Sequence, residues 1–215
     1  ALFFLLTEAA LGAGLVKFEL VAGDTSVARA ITASFHLINT FTLSAFSALV
    51  AWWSYPQNPG QDFSPRLKNQ GTAWLLPAMV GLTLTSMTGA ITALGDTLFP
   101  TSVFTQQGLM AHVAEQVSAS THFLVQLRIV HPIVAVLTSV YLLLALPQLK
   151  GFDSHRRWLT GAVVTQVAFG FINILLAAPT WMQLLHLTMA LAVWLGTFVL
   201  WVRTQSHAVE KSQEA

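Results

Sequence analysis

Six stretches of the chain are apolar for about twenty residues each, and short polar segments separate them. They run from about Leu2 to Val21, Ala28 to Trp53, Ala73 to Leu94, His122 to Leu146, Trp158 to Ala177 and Trp181 to Val202. About 20 consecutive apolar residues carry a helix across the ~30 Å hydrocarbon core of a bilayer, so the pattern predicts six transmembrane helices. Trp52, Trp53, Trp74, Trp158, Trp181 and Trp201 fall near the ends of these stretches, where indole rings favour the membrane–water interface. Composition agrees with the pattern. Of 215 residues, 54% are hydrophobic and 9% charged, against about 25% charged in a soluble domain. The expected fold class is all-α and integral to the membrane.

The polar segments give an orientation. Loop 54–71 carries Arg66 and Lys68, loop 147–157 carries Lys150, Arg156 and Arg157, and the tail adds Arg203 and Lys211, making seven Lys/Arg on one side. The other side has Lys17 and Arg29 near the first loop and none in loop 95–121 or the turn at 178–181. Basic residues are retained on the cytoplasmic side, so the C-terminus is expected in the cytoplasm. Loop 95–121 holds Asp96, His112 and Glu115 and reads as a solvated cap with a short helix over Gln106 to Ser118. The net charge of +1 gives no sign of a nucleic-acid partner, and the absence of cysteine excludes disulfides, thiolate metal sites and cysteine nucleophiles. Ala1 already lies in an apolar helix with no basic segment before it, which reads as a truncated or processed start and not as a signal peptide.

A repeat then orders the spans. Thr7-Glu8-Ala9-Ala10-Leu11-Gly12 in the first matches Thr165-Gln166-Val167-Ala168-Phe169-Gly170 in the fifth, and each is followed by a span with a histidine near its outer start, His36-Leu37 and His186-Leu187. Spans one and two thus read as a copy of spans five and six.

Three of the seven histidines, His36, His131 and His186, lie inside spans. The second, fourth and sixth spans run from outside to inside, and at 1.5 Å per residue these histidines lie roughly 8 to 14 Å below the outer helix ends. His112, His122, His155 and His207 read as solvated surface residues. Neutral imidazole is a good ligand for iron, copper or zinc, so three histidines at one depth could form a compact metal site, or two could clamp a haem. The repeat places His36 and His186 in equivalent positions of two halves, hence in two sites. His131 and His186 share a half, and bis-histidine haem ligation by that pair is the preferred reading.

His131 sits in Gln126-Leu127-Arg128-Ile129-Val130-His131-Pro132. Arg128 shares its helix face, and Pro132 cannot donate to the Arg128 carbonyl, which loosens the helix there. An ionisable group at membrane depth costs roughly 2.5 to 3.5 kcal/mol on insertion scales. Arg128 is read as meeting a haem propionate or snorkelling to the interface. Gly81, Gly89 and Gly95, with Thr83, Thr85, Ser86 and Thr88, either let helices approach closely or make room for a flat macrocycle. Asn39, Thr40 and Asn173 are read as bonding neighbouring helices.

With these residues in view, the chain resembles the haem A synthase family of respiratory membranes. The resemblance runs from Leu2 to Val202 and is carried by Thr7 to Gly14, His36-Leu37-Ile38-Asn39-Thr40-Phe41, Thr88-Gly89-Ala90, Ala93 to Pro100, Arg128-Ile129-Val130-His131-Pro132 and Gln183-Leu184-Leu185-His186. It implies an eight-helix bundle of two pseudo-symmetric four-helix halves. Residues 1–71 would be the second helix pair of the N-terminal, substrate-haem half, 72–203 the C-terminal haem b half, and 204–215 a cytoplasmic tail. It further implies that His131 and His186 ligate haem b and that His36 is one ligand of the substrate haem O, whose C8 methyl is oxidised to the formyl of haem A. The family's first two helices, the partner of His36 and a catalytic glutamate would then lie upstream of Ala1, and Arg128 occupies the matching place in the second half. The implied setting is a bacterial cell membrane, in contact with lipid, haem O synthase and terminal oxidase assembly components, with room for a homo-oligomer. Two other classes compete: a quinol-linked b-type cytochrome that leaves haem unmodified, and a transporter whose histidines relay protons.

Overall fold

The computed structural model describes residues 1–21, 23–54, 69–100, 114, 118 and 120–213, with side chains as far as 205. Among these residues the regular structure is helical, with no strand. The first helix, α1, covers Leu2–Lys17. It stops short of the predicted Val21, because the chain turns at Phe18 and Glu19 takes a positive φ of 57°. Its 16 residues reach about 24 Å. The other five helices are long and apolar enough to cross a membrane, so the expected six spans become five plus one shorter apolar helix.

Helix α2, Val27–Trp53, starts at an N-cap built by neighbours in sequence. Ser26 Oγ accepts from the Arg29 amide at 3.1 Å, and Asp24 accepts from the Ser26 amide at 3.0 Å. Helix α3, Gln70–Leu98, is capped by Asn69, which also donates to the Thr204 carbonyl at 2.8 Å and ties α3 to the last helix. At 29 residues α3 outruns the predicted Ala73–Leu94 at both ends. Asp96 is therefore on a helix, not in the outer loop.

Helix α4 spans Phe123–Gln148. It is interrupted by a 3-10 turn at Leu127–Ile129, where Pro132 withholds its donor, and ends in another at Leu146–Gln148, beside Pro147. Helix α5, Asp153–Leu175, begins before the predicted Trp158, so Arg156 and Arg157 are helical. It ends where Ala177 and Ala178 adopt positive φ values of 57° and 53°. Helix α6, Thr180–Gln213, continues past the predicted end at Val202. The residues expected in loop 54–71 (Arg66, Lys68), in the outer cap (His112, Glu115 and the helix over Gln106 to Ser118) and at His207 and Lys211 fall wholly or largely outside the described residues and side chains.

Packing makes α3 the hub, in contact with α2, α4 and α6; α1 lies on α2, and α5 on α6 and α4. One apolar cluster joins Leu75, Leu142, Leu146, Leu159 and Leu200 toward one end. A second joins Phe41, Ala45 and Leu49 to Trp194 and Phe198, and a third, at the opposite end of α3, joins Ala30, Leu94 and Leu124. Between the ends, α3 presents Thr85, Thr88 and Gly89 instead of large apolar residues. The histidines lie at that level.

Candidate functional site

Helix α3 meets α4 through glycine. A Cβ at Gly89 would lie 3.0 Å from His131 Cε1, one at Gly81 2.9 Å from Thr138 Oγ1, and one at Gly95 2.9 Å from the Leu124 carbonyl oxygen. These glycines therefore serve close approach, one of the two uses read for them. The approach brings His131 Nδ1 to 3.1 Å from the Thr85 carbonyl and 3.3 Å from Thr88 Oγ1. A carbonyl can only accept, so Nδ1 carries the hydrogen and Nε2 keeps its lone pair.

The α5–α6 pair repeats the device. A Cβ at Gly170 would lie 3.1 Å from His186 Cε1, and Gln166 Nε2 donates to His186 Nε2 at 3.2 Å. As the amide is oriented, it occupies the Nε2 lone pair, so a metal bound at His186 Nε2 would replace this hydrogen bond, and Nδ1 is buried without one. His131 and His186 then face each other with ring centroids 6.3 Å apart and planes at 89°.

That separation can be tested against a metal between the rings. An imidazole nitrogen lies about 1.2 Å from its ring centroid and binds iron at about 2 Å, so two rings on opposite sides of one iron have centroids roughly 6 to 6.5 Å apart. The centroid separation falls in that range, with the Gln166 hydrogen bond at His186 Nε2 the one the iron would replace. The pair's two neutral donors suit a metal whose other ligands come from a macrocycle, and poorly suit a bare tetrahedral ion that needs four from the protein. Among the described residues no three His, Cys, Asp or Glu side chains converge. The compact three-histidine metal site is thereby set aside.

His36 on α2 faces α1. Its Cε1 is 3.8 Å from a Cβ placed on Gly12, and its Nδ1 is 3.5 Å from Glu8 Oε2, beyond a good hydrogen bond. Glu8 is fixed by Asn39 Nδ2 at 2.6 Å and by the Thr40 hydroxyl. The geometry matches the sequence repeat residue for residue: Glu8 and Gln166 meet the histidine of the next helix, and Gly12 and Gly170 lie beneath it. Glu8 and Gln166 carried no site role in the sequence reading, and Thr85 was read only as part of the small-residue face. The repeat held the signal for the first two, since it aligned them one turn before the glycine.

Arg128 departs from the snorkelling reading. It is 4% exposed, so it does not snorkel. Its Nε lies 2.9 Å from Asp96 Oδ1, and Nη2 donates to the carbonyls of Gly95 at 2.6 Å and Phe99 at 2.5 Å. These contacts join α4 to the C-terminal end of α3, where a cation is favoured. Nε and Nη2 of the buried Arg128 thus take protein partners.

Other side chains also sort out. Asn39 bonds α1, donating to the Phe4 carbonyl at 2.9 Å, whereas Asn173 Oδ1 is buried without a hydrogen bond. His122 is a cap, not a solvated residue: Nδ1 accepts from the Leu124 amide at 3.3 Å and the ring stacks on Phe99. His155 is half-buried and donates to the Gly196 carbonyl at 2.9 Å.

Fold and site define a class: a multi-pass helical membrane protein in which two histidines on apolar helices face each other. The chain belongs to the cytochrome oxidase assembly protein family COX15-CtaA, which it matches over residues 1–198. It is also similar to two curated proteins, one from each of two strains of Thermus thermophilus, both named Protoheme IX farnesyltransferase. The identity is 38% over 203 residues, which is 91% of this chain and 32% of each relative. The chain therefore spans about a third of their length. No solved structure matches it.

Proposed function

We propose that the protein acts as a haem A synthase, oxidising the C8 methyl of haem O to a formyl group and so providing haem A to a terminal oxidase. The observation that carries this is the His131–His186 pair, spaced for a bis-ligated iron within a member of an oxidase assembly family. In this reading the two histidines hold haem b and His36 binds the iron of the substrate. The Thermus relatives are named for farnesyl transfer to protohaem. A farnesylated haem is the substrate we assign here, so the two steps would be consecutive, with a haem O synthase and oxidase assembly components as partners.

When bound, haem b supplies one-electron redox chemistry at its iron. The chain supplies position. Thr85 fixes the His131 tautomer, and such outer partners orient a ligand and raise its basicity. Gly89 and Gly170 let both rings sit against backbone. The Ala30–Leu94–Leu124 cluster covers the outer end of α3 and keeps water from this layer. We place the C-terminus in the cytoplasm of a bacterial cell and the histidines toward the outer leaflet, from the basic loops.

The test is product analysis. Expression of the full-length protein beside a source of haem O is expected to yield haem A, and His131→Ala and His186→Ala are each expected to abolish the haem b absorption bands. Recovery of haem O alone from a haem-loaded protein would favour the b-type cytochrome instead. A purified protein with no Soret band would remove both haem readings in favour of a transporter.

A further inference from the structure

Glu8 is an acidic residue on an apolar helix, and four polar side chains are arranged about it. Asn39 and Thr40, three and four residues after His36, lie on its face of α2. Asn39 Nδ2 donates to Glu8 Oε2 at 2.6 Å and Thr40 donates to Oε1, while Asn39 is itself fixed by Thr7 Oγ1 at 2.7 Å. Each carboxylate oxygen has a second lone pair. Opposite stands His36 Nδ1, a buried ring nitrogen with no hydrogen bond, facing Glu8 Oε2 at 3.5 Å. A small swing of the ring closes that gap to about 3 Å, an ordinary hydrogen bond. In the other half the aligned residue is Gln166, an uncharged amide.

We propose that Glu8 is a positioning residue for His36: its carboxylate, held by Asn39 and Thr40, accepts the Nδ1 hydrogen and presents Nε2 to the iron of the substrate haem. This rests on His36 being a ligand of that haem. The two halves then differ in kind. His36 has an anionic partner at Nδ1 and His131 a carbonyl at Nδ1, whereas the uncharged Gln166 amide meets His186 at Nε2. An anion behind a ligand strengthens its donation and favours the more positive iron, so the His36 site holds its haem at the lower reduction potential.

The experiment uses full-length protein already loaded with haem b, titrated with haem O and followed by absorption and by potentiometry. Glu8→Gln is expected to weaken haem O binding about 10- to 100-fold, as loss of outer-shell partners does, and to raise the potential of that haem. The haem b bands should stay as in the wild type. Asn39→Ala and Thr40→Val, which loosen the carboxylate without removing it, should move both readouts the same way by less, and they decide the matter if Glu8→Gln does not accumulate. His36→Ala separates the two levels of argument. If it abolishes haem O binding while Glu8→Gln leaves affinity and potential unchanged, Glu8 merely ties α1 to α2 and the proposal fails alone. If His36→Ala binds haem O like the wild type, the reading of His36 fails and the proposal with it.

Discussion

At the scale of single residues, a glycine on the preceding helix lies against each of the three intramembrane histidines, but the three contacts are not equally tight. A Cβ would lie 3.0 Å from the His131 ring at Gly89 and 3.1 Å from the His186 ring at Gly170, yet 3.8 Å from His36 at Gly12. The first two are closer than an ordinary contact and the third is not, so the same substitution should have different consequences. Gly89→Ala is expected to displace His131 from the Thr85 carbonyl and lower haem b content, with helix content by circular dichroism unchanged. Gly12→Ala should leave haem binding near wild type. Equal loss in both variants would show that the glycines serve only general helix packing.

At the scale of elements, α4 is the helix whose local chemistry and tertiary contacts are most tightly coupled. Pro132 removes a donor from the Arg128 carbonyl, the chain tightens into a 3-10 turn at Leu127–Ile129, and Arg128 is thereby placed on Asp96 and the last carbonyls of α3. Removing one member of a buried ion pair leaves the other uncompensated, at about 3 to 5 kcal/mol, whereas replacing both by apolar residues of similar size is often nearly neutral. Arg128→Ala or Asp96→Asn should therefore lower the midpoint of thermal unfolding in detergent strongly, and Arg128→Met with Asp96→Leu should recover much of the loss. A propionate-binding arginine would behave differently. The single variant would alter haem binding with little change in the stability of the haem-free protein.

At the scale of the molecule, apolar clusters at either end of α3 bracket a layer that holds the histidines, hydroxyls and glycines. The arrangement leaves many large apolar side chains exposed on the outer surfaces, among them Leu137 and Leu144 on α4, as a lipid-facing helix requires. The proposed orientation can be checked directly, because the chain contains no cysteine. Single cysteines at Ser154, in the first turn of α5, and Thr180, at the start of α6, should differ in accessibility to an impermeant thiol reagent in intact cells. Thr180→Cys should react and Ser154→Cys should not, and the reverse pattern would invert the topology.

Hydropathy is a property summed along the chain, so the sequence by itself determined the membrane class, the approximate ends of five spans and the helical break at Pro132. The repeat and the shared helical depth also made the His131–His186 pair legible, because both depend on register along helices and not on contact between them. The sequence also overstated α1, since the left-handed turn at Glu19 carries no hydropathic mark. Only the tertiary structure decided which partner each polar group takes. The longer α3 brought Asp96 onto Arg128, and Glu8 looked like one letter of a repeat until α1 packed against His36. The physical reason is one of range: burial follows from the average character of some twenty residues, whereas a hydrogen bond depends on helix rotation and on separations of a few tenths of an ångström.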